Sequence, residues 1–230
     1  MIKVFGAVTI GQAPRPDITG DVLAILGSGY RVVEYGALDG MTGEEIARLK
    51  PLPGDDVLVT RLADGRIVQL AERNITPLVQ QKVKNLFDQG IKVVVLLCTG
   101  HFPGFKANGV VLRPQKLLND AAATLGRGKL AGVLCPTPEH IPQMKRQWSA
   151  ILGAEPQVKA VSPYLGMAGV EQAARELREA GVQVVVLDCI AYTLEMKTRV
   201  QEITGSEVLL PRSLAAESIK RLTDSSLRLE

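Results

Sequence analysis

Two short apolar runs constrain this chain more than anything else in it: "KVVVLLC" at residues 92 to 98 and "VVVLDC" at 184 to 189. Neither alternates polar with apolar residues, so a strand built from either must be covered on both faces. That is the environment of a central strand in a parallel sheet flanked by helices. Shorter β-branched runs recur around them, at Ile2 to Val8, Arg31 to Tyr35, Val57 to Arg61, Lys129 to Leu134, Val158 to Val161 and Glu207 to Leu210. Helical patterns fill the intervals, among them 17 to 27, 76 to 89, 114 to 125, 138 to 152, 170 to 180, 192 to 203 and 213 to 222. Alternation of this kind defines a parallel α/β protein. One segment departs from it. "LVTRLADGRIVQLAE" holds two strand-like runs around Asp64-Gly65, a strong short-range hairpin signal, and reads as a β-hairpin projecting from the first half.

The two halves repeat a unit. "LFDQGIKVVVLLCTG" (86 to 100) and "LREAGVQVVVLDCIA" (177 to 191) align without gaps at Leu86/Leu177, Gly90/Gly181, the three valines, Leu96/Leu187 and Cys98/Cys189. Glycine followed by an apolar strand is common in parallel α/β proteins. A cysteine at the end of both strands is not.

Composition excludes several classes. With 46% hydrophobic residues in 230, the chain buries a large core. A net charge of +3, with basic residues interleaved with acids, offers no concentrated basic face, so no nucleic-acid partner is expected. No apolar run approaches the ~20 residues that span a bilayer, and the opening "MIKVFGAV" reads as a strand; no membrane segment or signal peptide is expected. The closing "LRLE" reads as an appended tail without functional weight. Cys98, Cys135 and Cys189 form an odd set without CxxC spacing, which argues against a disulfide framework or a structural zinc site and favours a cytoplasmic protein. His101 and His140 are not grouped with carboxylates, so no metal is expected. Neither GxGxxG nor GxxxxGK[ST] occurs, so no nucleotide cofactor is expected either.

In open parallel sheets, ligands bind beyond the carboxyl ends of the strands. Cys98 and Cys189 both fall there. A thiol in that place can feel the positive end of a following helix, which favours the thiolate. The helix expected from Tyr192 supplies such an end for Cys189, while Gly100, Pro103 and Gly104 interrupt helix formation after Cys98 and leave His101 to help charge that thiol. Cys135 has no counterpart in the first half and reads as structural.

Four motifs carry a resemblance: "VTIGQAPRPDI" (8 to 18), "LLCTGHFPG" (96 to 104), "GVLCPTPEH" (132 to 140) and "VVVLDCIAYT" (184 to 193). Through them, over residues 1 to 222, the chain resembles the AroM family, which in turn looks like a branch of the aspartate/glutamate racemase superfamily. The resemblance implies two pseudo-symmetric, flavodoxin-like α/β lobes, residues 1–100 with 211–230 and residues 101–210, with an active site between them. It also implies cofactor-independent proton transfer at a carbon next to a carboxylate, Cys98 serving one face of that carbon and Cys189 the other.

Such a reaction builds charge on carboxylate oxygens, which preorganised donors must stabilise. Candidate donors are Thr99 and Gly100 beside the first thiol, and Thr193 with Tyr192 beside the second. Arg15 in the first loop can pair bidentately with a substrate carboxylate, with Asp17 capping the next helix. Thr137, in the corresponding loop of the second half, can cradle an anion; Glu139 reads as a helix-dipole residue and His140 as solvated. Superfamily members usually continue their second cysteine with threonine and histidine, whereas Ile190, Ala191 and Tyr192 follow here. Strand alternation sends Asp188 away from the thiol, toward the contacts expected between the lobes.

The leading expectation is therefore a racemase- or isomerase-like enzyme acting on a small carboxylate metabolite. A non-catalytic regulatory protein or sensor that binds such a metabolite is the alternative, and a Cys98/Cys189 redox pair a third. The hairpin tip is a candidate homodimer contact.

Overall fold

The computed structural model describes residues 2–225; the "LRLE" tail lies outside them. The chain divides into two compact units, residues 1–113 with 215–230 and residues 114–214. The first is built on a parallel sheet of β1 (Lys3–Thr9), β2 (Tyr30–Gly36), β5 (Val93–Leu97) and β6 (Val110–Leu112), in the order β2-β1-β5-β6. The second holds β7 (Ala131–Cys135), β8 (Gln157–Ala160), β9 (Val184–Leu187) and β10 (Glu207–Leu209), and its order β10-β9-β7-β8 is the same order read from the other edge. Each unit thus lays its first strand between its second and third and its fourth outside the third. Cys98 follows the third strand of one unit and Cys189 the third strand of the other.

The repeat seen in the sequence has a packing cause. Gly6 on β1 pairs in register with Val94, and a Cβ there would stand 2.7 Å from a Leu86 methyl. Gly132 on β7 pairs with Val185, and a Cβ there would stand 2.9 Å from two Leu177 methyls. Leu86 and Leu177, Val94 and Val185 are aligned pairs of the repeat. In both units, then, a leucine near the end of the helix before the third strand descends onto a glycine of the first, and β5 and β9 are buried along their whole length. Helices α3 (Glu72–Asp88) and α6 (Met167–Glu179) supply these leucines, from stripes of Ile75, Val79, Val83, Leu86 and of Val170, Ala173, Ala174, Leu177.

Three expectations need adjustment. The first unit runs past residue 100 to Arg113 because β6 pairs in parallel with β5, Val93 opposite Val110; a three-residue strand is too short for periodicity to reveal. At the other end the division falls inside α8 (Pro211–Ser225), so residues 211 to 214 join the second unit. Helix α3 starts at Glu72 rather than near 76, with Pro77 inside it. An interior proline costs about 3 kcal/mol, but four fully buried aliphatic side chains at roughly 2 kcal/mol each outweigh it. The first turn is also held by the Glu72 N–H on the Asp56 carbonyl (3.0 Å) and the Thr76 hydroxyl on the Glu72 carbonyl (2.7 Å).

The hairpin forms as expected, β3 (Val57–Arg61) antiparallel to β4 (Ile67–Ala71), with Gly65 at φ +88° in the turn, a backbone conformation that favours glycine. No helix of the described residues is long and apolar enough to cross a membrane.

Candidate active site

The turn after β5 places Cys98 with 7% of its surface exposed. Its Sγ accepts a hydrogen bond from the backbone N–H of Gly100 at 3.3 Å. One residue on, the N–H of His101 donates to Glu72 Oε2 at 2.8 Å. The turn closes tightly. A Cβ on Gly100 would meet Leu58 Cδ2 at 2.7 Å and Phe102 Cε2 at 2.9 Å, so only glycine fits without displacement. Thr99 is half-buried and the His101 side chain exposed. The Gly100 N–H is therefore directed at the sulfur. Burial raises the Glu72 carboxyl above its ordinary range; the hydrogen bond from His101 opposes this, Asp56 adds to it, and charge on His101 opposes it again.

The turn after β9 is held quite differently. Cys189 is 8% exposed, and Tyr192 N–H bonds back to its carbonyl at 3.2 Å. Asp188 is buried on its own unit, where Oδ2 accepts the indole N–H of Trp148 from α5 (Ile141–Leu152) at 2.8 Å. Tyr192 is fully buried and donates its hydroxyl to the Val161 carbonyl at 2.6 Å. Its phenol is raised well above the ordinary value by burial, then by Cys189, Cys135 and Asp188 nearby. Tyr192 thus anchors the turn inside the core. Arg212, 0% exposed, directs Nε and Nη2 onto the carbonyl of Ile190 at 3.0 and 2.7 Å. Helix α7 spans Leu194–Thr204, two residues later than the sequence indicated, because Thr193 takes the N-cap by accepting the Met196 N–H at 3.1 Å. A hydroxyl that accepts there retains a proton to donate.

Cys135 is fully buried, and burial first, then the charges of Asp188 and Cys189, push its thiol up to about 12. That is the behaviour of a structural cysteine. In the loop beyond it, a 3₁₀ turn of Pro138–His140 precedes α5, and the Thr137 hydroxyl lies 2.9 Å from His140 Nδ1. His140 is buried rather than solvated. The same hydroxyl bonds to Glu139, whose exposed carboxyl it holds below the ordinary range.

In the first loop, Arg15 precedes α1 (Pro16–Leu26) and is buried. Its guanidinium grips Asp17 bidentately, Nε to Oδ1 at 2.8 Å and Nη2 to Oδ2 at 2.7 Å, while its backbone N–H donates to Glu34 at 2.7 Å. The fork expected for a substrate carboxylate is thus turned to Asp17. Asp17, in the first helical turn, pairs with Arg15 instead of capping; burial raises its carboxyl, but the bonds and charge of Arg15 and the charge of Arg61 prevail and leave it lowered.

The structure thus groups Cys98, Thr99, Gly100 and His101 with Glu72 in the first unit. In the second it groups Cys135, Asp188, Cys189 and Tyr192. Glu72 and Arg212 fall outside the motifs of the sequence. An arginine in the otherwise uncharged "VLLPRSLAA" is the available signal for Arg212; for Glu72 there is none.

The strand order of the two units belongs to a fold that solved racemases and an isomerase share. Allantoin racemase from Klebsiella pneumoniae superposes with a TM-score of 0.64 at 15% identity, over 98% of this chain and 89% of its own. The maleate isomerase Iso from Pseudomonas putida S16 gives 0.63 at 15% identity, over 96% and 94%. Aspartate racemase of Picrophilus torridus gives 0.59 at 13%, over 96% and 94%. Identities this low establish the fold and nothing finer. The chain belongs to the AroM family, described as AroM protein, whose profile matches residues 5–223. No curated protein matches it significantly.

Proposed function

We propose that this protein is a cofactor-independent isomerase of racemase type. In this reading Cys98 and Cys189 transfer a proton at the carbon next to a carboxylate of a small acid. The observation that carries it is the equivalence of the two thiols: each follows the third strand of a sheet with the same strand order, at the carboxyl end where open parallel sheets bind ligands. The bases must differ in protonation state at the start of a turnover, one thiolate to abstract and one thiol to deliver. Cys98, whose sulfur already accepts an N–H, is assigned the thiolate. Cys189, close enough to Asp188 and Cys135 to influence the same buried groups, is assigned the thiol. A proton leaves the substrate carbon for Cys98 sulfur, and the Cys189 proton reaches the opposite face. The hydroxyls of Thr99 and Thr193 stabilise the charge on the carboxylate, and that of Thr137 would do so only by leaving Glu139. Arg15 shapes the first loop through Asp17, and a substrate carboxylate would reach it only by replacing that partner. Proteins named as a maleate isomerase and an arylmalonate decarboxylase share this fold, and isomerisation or decarboxylation of a small acid would draw on the same donors here.

The test is deuterium incorporation at the α-carbon of a panel of small carboxylic acids in D₂O, followed by NMR. Wild-type protein should exchange at least one of them. Cys98→Ala and Cys189→Ala should each lower exchange about 10²- to 10⁴-fold, the range of positioned acid–base catalysis. Tight binding of an acid with no exchange would replace this reading with that of a sensor.

A further inference from the structure

From outside the Cys98 turn, the Glu72 carboxylate holds its backbone: Oε2 accepts the His101 N–H at 2.8 Å. The same oxygen lies 3.3 Å from where a Gly100 Cβ would stand, so it abuts the residue whose N–H faces the sulfur. Glu72 is itself anchored at both ends of its backbone unit, by Asp56 and by Thr76. Its neighbour Arg73 is turned to Asp55 at 2.8 Å. The titratable groups that act on Glu72 are thus Asp56, from the segment ahead of β3, and His101 of the turn.

We propose that Glu72 is a positioning residue for Cys98: by fixing the His101 N–H it orients the turn so that the Gly100 N–H donates to Cys98 Sγ and favours the thiolate. Two effects of Glu72 on that sulfur oppose each other. Its negative charge disfavours a second negative charge nearby, and the N–H it orients favours one. The N–H acts by direct contact at 3.3 Å, so orientation outweighs charge. The catalytic meaning rests on the proposed role of Cys98 as a proton-transfer thiol. The test below needs no substrate, so its failure and the failure of that role are distinguishable.

The measurement is the rate of Cys98 alkylation by iodoacetamide in the full-length protein between about pH 6 and 10, read by peptide mass spectrometry, with folding checked by near-ultraviolet circular dichroism. Removing the acceptor in Glu72→Ala should slow alkylation near pH 7 about tenfold and move the midpoint of the pH profile upward, as expected for loss of one hydrogen bond to a charged sulfur. Glu72→Gln, which can accept the same N–H, should stay within about twofold of wild type. Glu72→Met fills similar space without an acceptor; it should behave as alanine does and serves if the alanine variant does not fold. Alanine and methionine variants that react as fast as wild type, or faster, overturn the proposal. A glutamine variant as slow as alanine overturns it too.

Discussion

The turn that carries Cys98 and the turn that carries Cys189 stand at the same place in two sheets of one strand order, yet they are held in opposite ways. Backbone and surface-side groups hold the first: a glycine N–H on sulfur and a half-buried glutamate on the next peptide. The second is locked from within its unit by the buried side chains of Asp188 on Trp148, Tyr192 on the Val161 carbonyl and Arg212 on the Ile190 carbonyl. Hydrogen bonds in low dielectric are strong, and their loss is correspondingly costly. The difference teaches that a duplicated scaffold fixes where a side chain emerges, while its chemical setting is decided by contacts that were not duplicated. Unlike settings would suit the two-base proton transfer proposed for the pair.

If the second turn is the rigid one, Arg212→Ala should have the largest effect. It removes a fully buried side chain and both donors to the Ile190 carbonyl, and should lower the unfolding free energy in urea by about 3 kcal/mol or more. A loss below about 1 kcal/mol would break the comparison. Gly100→Ala comes next, at about 2 kcal/mol, since the new methyl meets Leu58 and Phe102. It should also slow Cys98 alkylation, which links tight packing to the N–H on sulfur.

The buried thiol of Cys135 gives a pH dependence. Its folded value of about 12 lies above the ordinary 9.0, so the folded chain keeps a proton that the unfolded chain releases. Stability is fully present below pH 9 and is lost as pH rises toward 12, with a slope approaching about 1.4 kcal/mol per pH unit. Cys135→Ala should flatten that slope between pH 9 and 10, below the range where Tyr192 adds its own, as followed by urea unfolding at each pH. In native protein iodoacetamide should leave Cys135 unmodified while Cys98 reacts. The smallest effect belongs to Thr193→Ala, which removes the N-cap of α7 and should cost about 1 kcal/mol by thermal unfolding.

Much of this arrangement was legible in the chain. The doubly apolar runs identified the central strands, the repeat paired Cys98 with Cys189, and Asp64-Gly65 marked the hairpin. What escaped had physical reasons. The strand β6 is too short for periodicity, and Pro77 concealed the true start of α3, whose buried stripe overrides it. Arg15 faces Asp17, two residues away, a pairing that depends on how the loop folds back. Tyr192 read as a helix start beside the thiol, but an aromatic ring gains most by entering the core, and its hydroxyl found the Val161 carbonyl there.

By itself, the sequence determined the class of fold and its doubling, because strand and helix periodicities are local and a two-sided apolar run admits few environments. Only the tertiary structure decided which polar groups meet: Glu72 with the peptide of His101, Arg212 with the carbonyl of Ile190, Trp148 with Asp188. The reason is one of range. A hydrogen bond needs its partners within about 3 Å, and only the completed packing brings residues some 20 to 40 positions apart to that distance.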